Sequence, residues 1–303
     1  MFSYANQNCC VRWNNHESSC FRISNGVRQG ASISPLMFAV YIDELFIKLQ
    51  DSGFGCYINN QFMGAAGYAD DIVLLSPSRA GLQSMVDICE NYCNAHGIKI
   101  SSDENARKSK TKCIVFSKDI DKPANIMLRN MRIPWTDTYK HLGHHIHMDE
   151  DMYHDLNAKR GEFISNIHSL RQEFGMLNPQ SFMRLISIYH TSFYGSNLWD
   201  LGSKSSERLW SSWNILLKST FILPYSTHRY ISNGLYGLPH LKSRLIKRFI
   251  NFHNHLRNSN QNTVKVLYNT QRYGTRSIFG RNWQLVQSLC GLHEVSNSRA
   301  SGI

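Results

Sequence analysis

Carboxylates are almost missing from the front of this chain: Glu17 is the only acid before Asp43. No stretch approaches 18 uninterrupted apolar residues, so no membrane-spanning helix is expected. The opening MFSYANQNCC lacks the basic end and apolar core of a secretory signal. A disulfide framework is not expected either, because the eight cysteines of 303 residues stand at irregular spacing and read as reduced thiols. The expected location is therefore intracellular, cytoplasmic or nuclear. Internal repeats and low-complexity segments are missing as well.

What is present is enough for a substantial core. A chain that is 42% hydrophobic and 12% aromatic lies outside the disordered class, and its length suggests two domains. Charge divides the same way. Residues 1–150 hold 15 Lys+Arg against 15 Asp+Glu, whereas residues 151–303 hold 18 against 7. The second half thus carries the whole excess of +11. A basic half points to a polyanionic partner; solubility alone is the competing reading.

Local patterns place the elements. Residues 8–24 read as a hairpin around the polar Asn14–Ser18 turn. Ser34-Pro35 is an N-cap followed by proline, opening a helix that runs to about Asp51. Two strands are expected around Asn59-Asn60, and another pair around Asp70-Asp71. A helix at about 79–95 buries Leu82, Met85, Val86, Cys89 and Cys93, and Gly97 stops it. Strands are expected near 112–117 and 139–147. Beyond 150 the apolar spacing becomes helical: Leu156 to Phe174, Phe182 to Tyr189, and Leu241 to Ile250. The fold class is α+β, with an α+β part over 1–150, a basic helical part over 151–257 and a partly loose extension over 258–303.

The stretch GYADDIVLLS is the chemical puzzle. Two adjacent carboxylates, Asp70 and Asp71, interrupt an apolar run, and an unpaired buried carboxylate costs several kcal/mol. Either they form a solvated turn or they hold a cation. The flanking strands leave no spare residues, so both carboxylates belong at a hairpin tip. Upstream, GVRQG offers flexible backbone at Gly26 and Gly30 and polar side chains at Arg28 and Gln29, suited to close approach by a nucleotide or template strand.

Taken in order, GVRQGASISP, YADDIVLLS, KSKTKCIVF and YKHLG resemble four successive motifs of reverse transcriptases, in the manner of non-LTR retrotransposons. The resemblance covers about residues 8–147. It implies a partial right-hand polymerase palm, an antiparallel sheet with packed helices, followed by an α-helical thumb-like domain. It also implies RNA-directed DNA polymerisation by two-metal phosphoryl transfer, with Mg²⁺ or Mn²⁺, an RNA template, a DNA primer and dNTPs, and no membrane. Asp70 would coordinate the ion with Asp71 assisting, and Tyr68 would lie next to the primer end. Arg28, Gln29 and Gly30 would line the nucleotide and template site. Lys110 would match the lysine that protonates the departing pyrophosphate, with Lys108 as a rival. Leu142 and Gly143 would fall in the primer grip, where the usual Tyr-Leu-Gly has become His141-Leu142-Gly143.

One part of that pattern is lacking. The family palm takes a third carboxylate from a strand before the Gln-Gly loop, and Glu17 stands in the wrong context. The chain therefore resembles such an enzyme beginning just after its first catalytic aspartate, with the metal held only if that carboxylate is supplied. The alternative is a catalytically dead remnant that grips nucleic acid through its basic half. A third reading is an unrelated α+β domain with an Asp-rich turn. In the basic half, Lys242, Arg244, Lys247 and Arg248 on one helix are the expected phosphate contacts. Cys89, Cys93 and His96 could suggest zinc, but the cysteines share a helix face and read as core. The His141, His144, His145 and His147 cluster invites a metal reading against one of nucleic-acid or solvent contact. Trp210 and Trp213 read as helix-packing residues.

Overall fold

The computed structural model describes residues 7–23, 26, 30–103, 105, 108–116, 124–149, 152–175, 177–228, 230, 234, 240–272, 274 and 276–290. Two compact units emerge. The first comprises Met1–Thr111 with Ala124–Ile133, and the second Lys112–Pro123 with Pro134–Ile303.

In the first unit, Asn-rich turns write a series of short hairpins. Strand β1 (Gln7–Cys9) pairs antiparallel with β4 (Phe21–Ile23), and β2 (Arg12–Trp13) with β3 (His16–Glu17). Strand β5 (Tyr57–Ile58) pairs with β6 (Gln61–Phe62), and β9 (Ile126–Leu128) with β10 (Met131–Ile133). The turns Asn14-Asn15, Asn59-Asn60 and Arg129-Asn130 have positive φ at both residues. That is the type I′ geometry whose twist suits two-residue hairpins, and asparagine tolerates it best after glycine.

Helix α1 (Ser34–Asp51) presents Ile42, Leu45 and Leu49 to helix α2 (Arg79–Ala95), which answers with Met85, Cys89 and Tyr92. Ile33, not Ser34, is the N-cap of α1, with proline in the first turn as expected. The Ser78 hydroxyl caps α2 by accepting from the Gly81 N–H (3.1 Å), and Gly97 follows its end at φ 66°. Cys89 and Cys93 are buried, and burial pushes the Cys89 thiol up to about 12, as befits packing residues. Gln83 docks β9 on α2 through both ends of its amide: Nε2 donates to Met127 O (2.9 Å) and Oε1 accepts from Met127 N–H (2.8 Å).

The second unit holds β11 (Thr138–His141) paired with β12 (His144–His147), then a helical array. Its helices are α3 (Tyr153–Phe174), α4 (Pro179–Leu185), α5 (Lys204–Thr220), α6 (Leu241–Arg257), α7 (Asn262–Gln271) and α8 (Ile278–Cys290). Phe163 of α3 stacks on Trp213 of α5 at 5.6 Å between ring centroids. Around that pair lie Ile167, Phe182, Ile186, Trp199, Leu245 and Phe249. Trp210 and Trp213 are both buried, as their helical spacing suggests.

Two expectations need correction. The strands do not merge into one sheet: among the described residues they form separate two-stranded ladders of two to four residues per strand. Strands so short offer a neighbour too few backbone groups for a shared ladder, and the β5–β6 hairpin meets the hairpin of Ala65–Tyr68 and Asp71–Leu74 through single bonds such as Cys56 N–H to Leu75 O. Near 112–117 no strand forms among the described residues beyond an isolated bridge between Cys113 and Trp135. Beyond 258 the described residues include the regular helices α7 and α8, and 291–303 lie outside the described residues. The chain passes between the units at 111/112, 123/124 and 133/134, and the hairpin β11–β12 falls in the second.

Candidate functional site

The carboxylate pair stands on a rigid base. Strand β7 (Ala65–Tyr68) pairs with β8 (Asp71–Leu74) in the register Tyr68↔Asp71, leaving Ala69 and Asp70 as a two-residue turn. Alternation along β8 turns Ile72 and Leu74 toward the α1–α2 core and leaves Asp71 exposed. At the hairpin base, Leu75 N–H donates to Gly64 O (2.7 Å) and Cys56 N–H to Leu75 O (3.0 Å), joining it to the neighbouring β5–β6 ladder. Gly67 allows the close approach of α1, because a Cβ there would fall 2.5 Å from the Phe46 ring.

The tip itself is strained. Of its two central residues only Ala69 has positive φ, 52°, the position where such turns favour glycine. A left-handed alanine costs about 1–2 kcal/mol. Asp70 and Asp71 are exposed, and so is Tyr68 at 69%. The question posed by the sequence is half answered: this is an exposed turn, so neither carboxylate is buried without a partner.

Exposed carboxylates are hard oxygen donors of the kind Mg²⁺ takes. Their number falls short, however. Among the described residues no group of three His, Cys, Asp or Glu side chains could hold a metal ion. Asp70 and Asp71 are thus two donors without a third beside them among the described residues. The zinc reading of Cys89, Cys93 and His96 and the metal reading of the histidine cluster fall on the same ground: His96 stacks on Tyr92 at 4.0 Å, and His147 stacks on His154 at 4.2 Å.

The other candidates divide between the units. Gly30 (φ 82°) is exposed with open space where a Cβ would stand; Arg28 and Gln29 lie outside the described residues. Lys108 and Lys110 are exposed on either side of buried Ser109, whose hydroxyl donates to Thr111 O (2.7 Å). Thr111 in turn donates through N and Oγ1 to Ser101 O (3.2 and 2.7 Å), tethering the lysine loop. Gly30, Lys108 and Lys110 share the first unit with Asp70. Leu142 and Gly143 instead form the β11–β12 turn of the second unit, at φ 46° and 82°.

Two residues that the motifs did not reveal hold that turn. Asp155, wholly buried in the first turn of α3, accepts from the His145 N–H (3.0 Å) and from Trp199 Nε1–H (2.7 Å). Tyr194 lies against Gly143, its ring 3.4 Å from where a Cβ would stand. Neither carries a local signal: their partners are 10 to 51 positions away.

On α6 the four basic residues do different things. Lys247 is exposed. Lys242 Nζ lies 5.4 Å from the Trp210 ring centroid. Arg244 donates through Nη2 to Thr191 Oγ1 (2.8 Å), and Arg248 through Nη2 to Thr191 O (2.8 Å) and through Nη1 to Ser192 O. Burial pushes both guanidinium pKa values down, and for Arg244 the Arg248 charge adds to the effect.

The family model for reverse transcriptase (RNA-dependent DNA polymerase) matches residues 2–146, which span the Gly30 loop, the Asp70-Asp71 hairpin, the lysine loop and the Leu142-Gly143 turn. Residues 2–146 belong to the reverse transcriptase family. The relatives are of the non-LTR retrotransposon kind. One is the retrovirus-related Pol polyprotein from the type-2 retrotransposable element R2DM of Drosophila melanogaster, 33% identical over 92 residues, which are 30% of this chain and 8% of that protein. Another is the Pol polyprotein from the type-1 retrotransposable element R2 of Popillia japonica, 30% identical over 129 residues, 40% of this chain and 18% of that protein. A third, from the element R2 of Nasonia vitripennis, is 34% identical over 79 residues, 26% and 8% of the two chains. The matched stretches thus span less than a fifth of these relatives' length. In this reverse transcriptase segment the carboxylate hairpin is an exposed, strained tip, and the helices α3 to α8 follow beyond the matched range. No helix among the described residues is long and apolar enough to cross a membrane.

Proposed function

We propose that this chain is the later palm and the thumb of an RNA-directed DNA polymerase of a non-LTR retrotransposon. The observation that carries the reading is the Tyr68-Ala69-Asp70-Asp71 turn, exposed at the tip of a packed hairpin within a reverse transcriptase segment. In this reading Asp70 and Asp71 supply oxygen donors for Mg²⁺ or Mn²⁺, and Tyr68 lies beside the primer end. Arg28, Gln29 and Gly30 approach the incoming dNTP and the template. Lys110 serves the departing pyrophosphate, with Lys108 its rival. Leu142 and Gly143 grip the primer. Among the described residues no third carboxylate joins the pair, and in this reading the donor set is completed by a further one. Phosphoryl transfer of this kind depends on several fixed charges around the transferred group, so the stretch is inactive until that carboxylate is added.

Primer extension on an RNA template tests the reading. Incorporation that requires template, primer and dNTPs is expected from a longer chain that adds an aspartate-bearing strand, and not from residues 1–303. A longer chain that binds template and primer but never extends would leave the binding remnant as the better account.

Binding has its own expected signature. Lys247 is the exposed one of the four basic residues Lys242, Arg244, Lys247 and Arg248, so Lys247→Ala should reduce the log–log salt slope for RNA binding by about 0.7 to 0.9. Arg244→Ala should instead loosen the fold, since its partner is Thr191. A salt titration by fluorescence anisotropy separates the two. An unchanged slope for Lys247→Ala would take that residue out of the interface.

A further inference from the structure

Tyr194 is held with unusual care for a residue that faces solvent. Its ring stacks on His144 at 5.4 Å between centroids and 29° between planes. Two glycines make the room: a Cβ on Gly143 would touch the Tyr194 ring at 3.4 Å, and one on Gly195 (φ 77°) would fall 1.5 Å from His144 Cε1. A seated, stacked ring normally belongs to a core, yet Tyr194 is 61% exposed. Leaving so much of an aromatic surface in water forgoes burial energy that the neighbouring Phe193 collects at 5% exposure.

Beside the ring opens a cleft of about 310 Å³ lined by Ser192, Tyr194, Asn197, Arg248 and Asn251, among others. That is the low end of the size usual for ligand clefts. Arg248 is the only charged residue among those that line it. Its guanidinium is fixed by the carbonyls of Thr191 and Ser192. No ion pair among the described residues joins it to a carboxylate. A half-buried cation that meets only carbonyls and hydroxyls lacks its complement, and burial already weakens its hold on the proton. An anion entering the cleft would supply that complement, with the Ser192, Asn197 and Asn251 side chains available as polar neighbours.

An exposed aromatic face next to a fixed cation is the chemistry that takes a nucleic-acid strand, with a base on the ring and a phosphate on the charge. We infer that Tyr194 and the Arg248 cleft form a binding subsite for single-stranded nucleic acid, one base stacking on the Tyr194 ring and the adjoining phosphate entering the cleft. This rests on the polymerase reading for its ligand class and extends it, because the subsite continues the Leu142-Gly143 turn onto the helices of the same unit. The strand can be DNA or RNA, since both offer the same base face and phosphate.

The test uses residues 1–303 with fluorescent single-stranded oligonucleotides, in one DNA arm and one RNA arm. Each arm is paired with a strand of equal length and charge whose positions are all abasic. Tyr194→Ala is expected to weaken binding of the normal strand about tenfold, and of the abasic strand less than twofold. Tyr194→Phe should bind like the parent, which excludes a role for the hydroxyl. A tenfold loss in either arm supports the subsite and identifies its strand. Equal losses on normal and abasic strands would mean that Tyr194 merely supports the fold, and overturn the inference. So would no loss on either strand; if salt-dependent binding then persists, the polymerase reading survives. A parent chain that binds no strand would overturn both.

Discussion

Asp70→Asn is expected to abolish primer extension in a chain supplied with the further carboxylate, by at least about a thousandfold, while template binding stays within about twofold. Asparagine keeps the size of the side chain and tolerates the same turn, so the β7–β8 register and the strained Ala69 should persist. What disappears is one negative charge at the hairpin tip. Neither carboxylate has a buried partner to satisfy, because both are exposed. Their removal should therefore leave the fold unharmed, and the thermal midpoint should move by less than about 2 °C. This separates a chemical role from a structural one. Extension that survives Asp70→Asn would remove the hairpin from the active centre. Robust extension by residues 1–303 alone, lost on the same substitution, would show that the needed carboxylate already lies within this stretch.

The second large effect is expected at Asp155, which no motif marks. Its two carboxylate oxygens accept from Trp199 Nε1–H at 2.7 Å and His145 N–H at 3.0 Å, and His144 Nδ1 lies 3.6 Å away. Asp155→Ala would leave the buried Trp199 donor and the part-buried His145 N–H without acceptors, and a void at 0% exposure. Removing one partner from such a buried set costs about 3–5 kcal/mol. The thermal midpoint of the second unit should fall by roughly 10 °C. Trp199 and Trp213, both in that unit, report the transition by fluorescence. Hydrogen exchange should rise first across Thr138–His147, because the same carboxylate fastens β12 to α3. A midpoint within about 2 °C of the parent would show that the network contributes little to stability.

Much of the first unit was legible in the sequence because its signals are local. Asparagine pairs mark hairpin turns through their tolerance of positive φ. Ser34-Pro35 marks a helix start, and the helical spacing of Met85, Cys89 and Cys93 marks a face that packs. The Asp70-Asp71 turn followed from two strands with no residues to spare between them. Strand merging did not follow, since a two-residue strand carries no record of which edge it meets. The helices α7 and α8 also escaped notice, because each buries few residues, with Tyr268 in α7 and Val286 in α8 the buried apolar ones.

The sequence by itself determined the composition of the site: a carboxylate pair on a tight turn, glycines where backbone must be open, and a basic half able to hold a polyanion. Only the tertiary structure decided where the charges point. Arg244 and Arg248 count as cations in any tally, yet they flank the buried stripe Leu241, Leu245 and Phe249, so packing turns their guanidinium groups onto Thr191 and Ser192. The Tyr194 seat joins Gly143, His144 and Gly195 from segments some fifty positions apart. Turn and helix propensities act over a few residues and can be read one window at a time. Contacts of that separation exist only after the chain has closed on itself, and no window contains them.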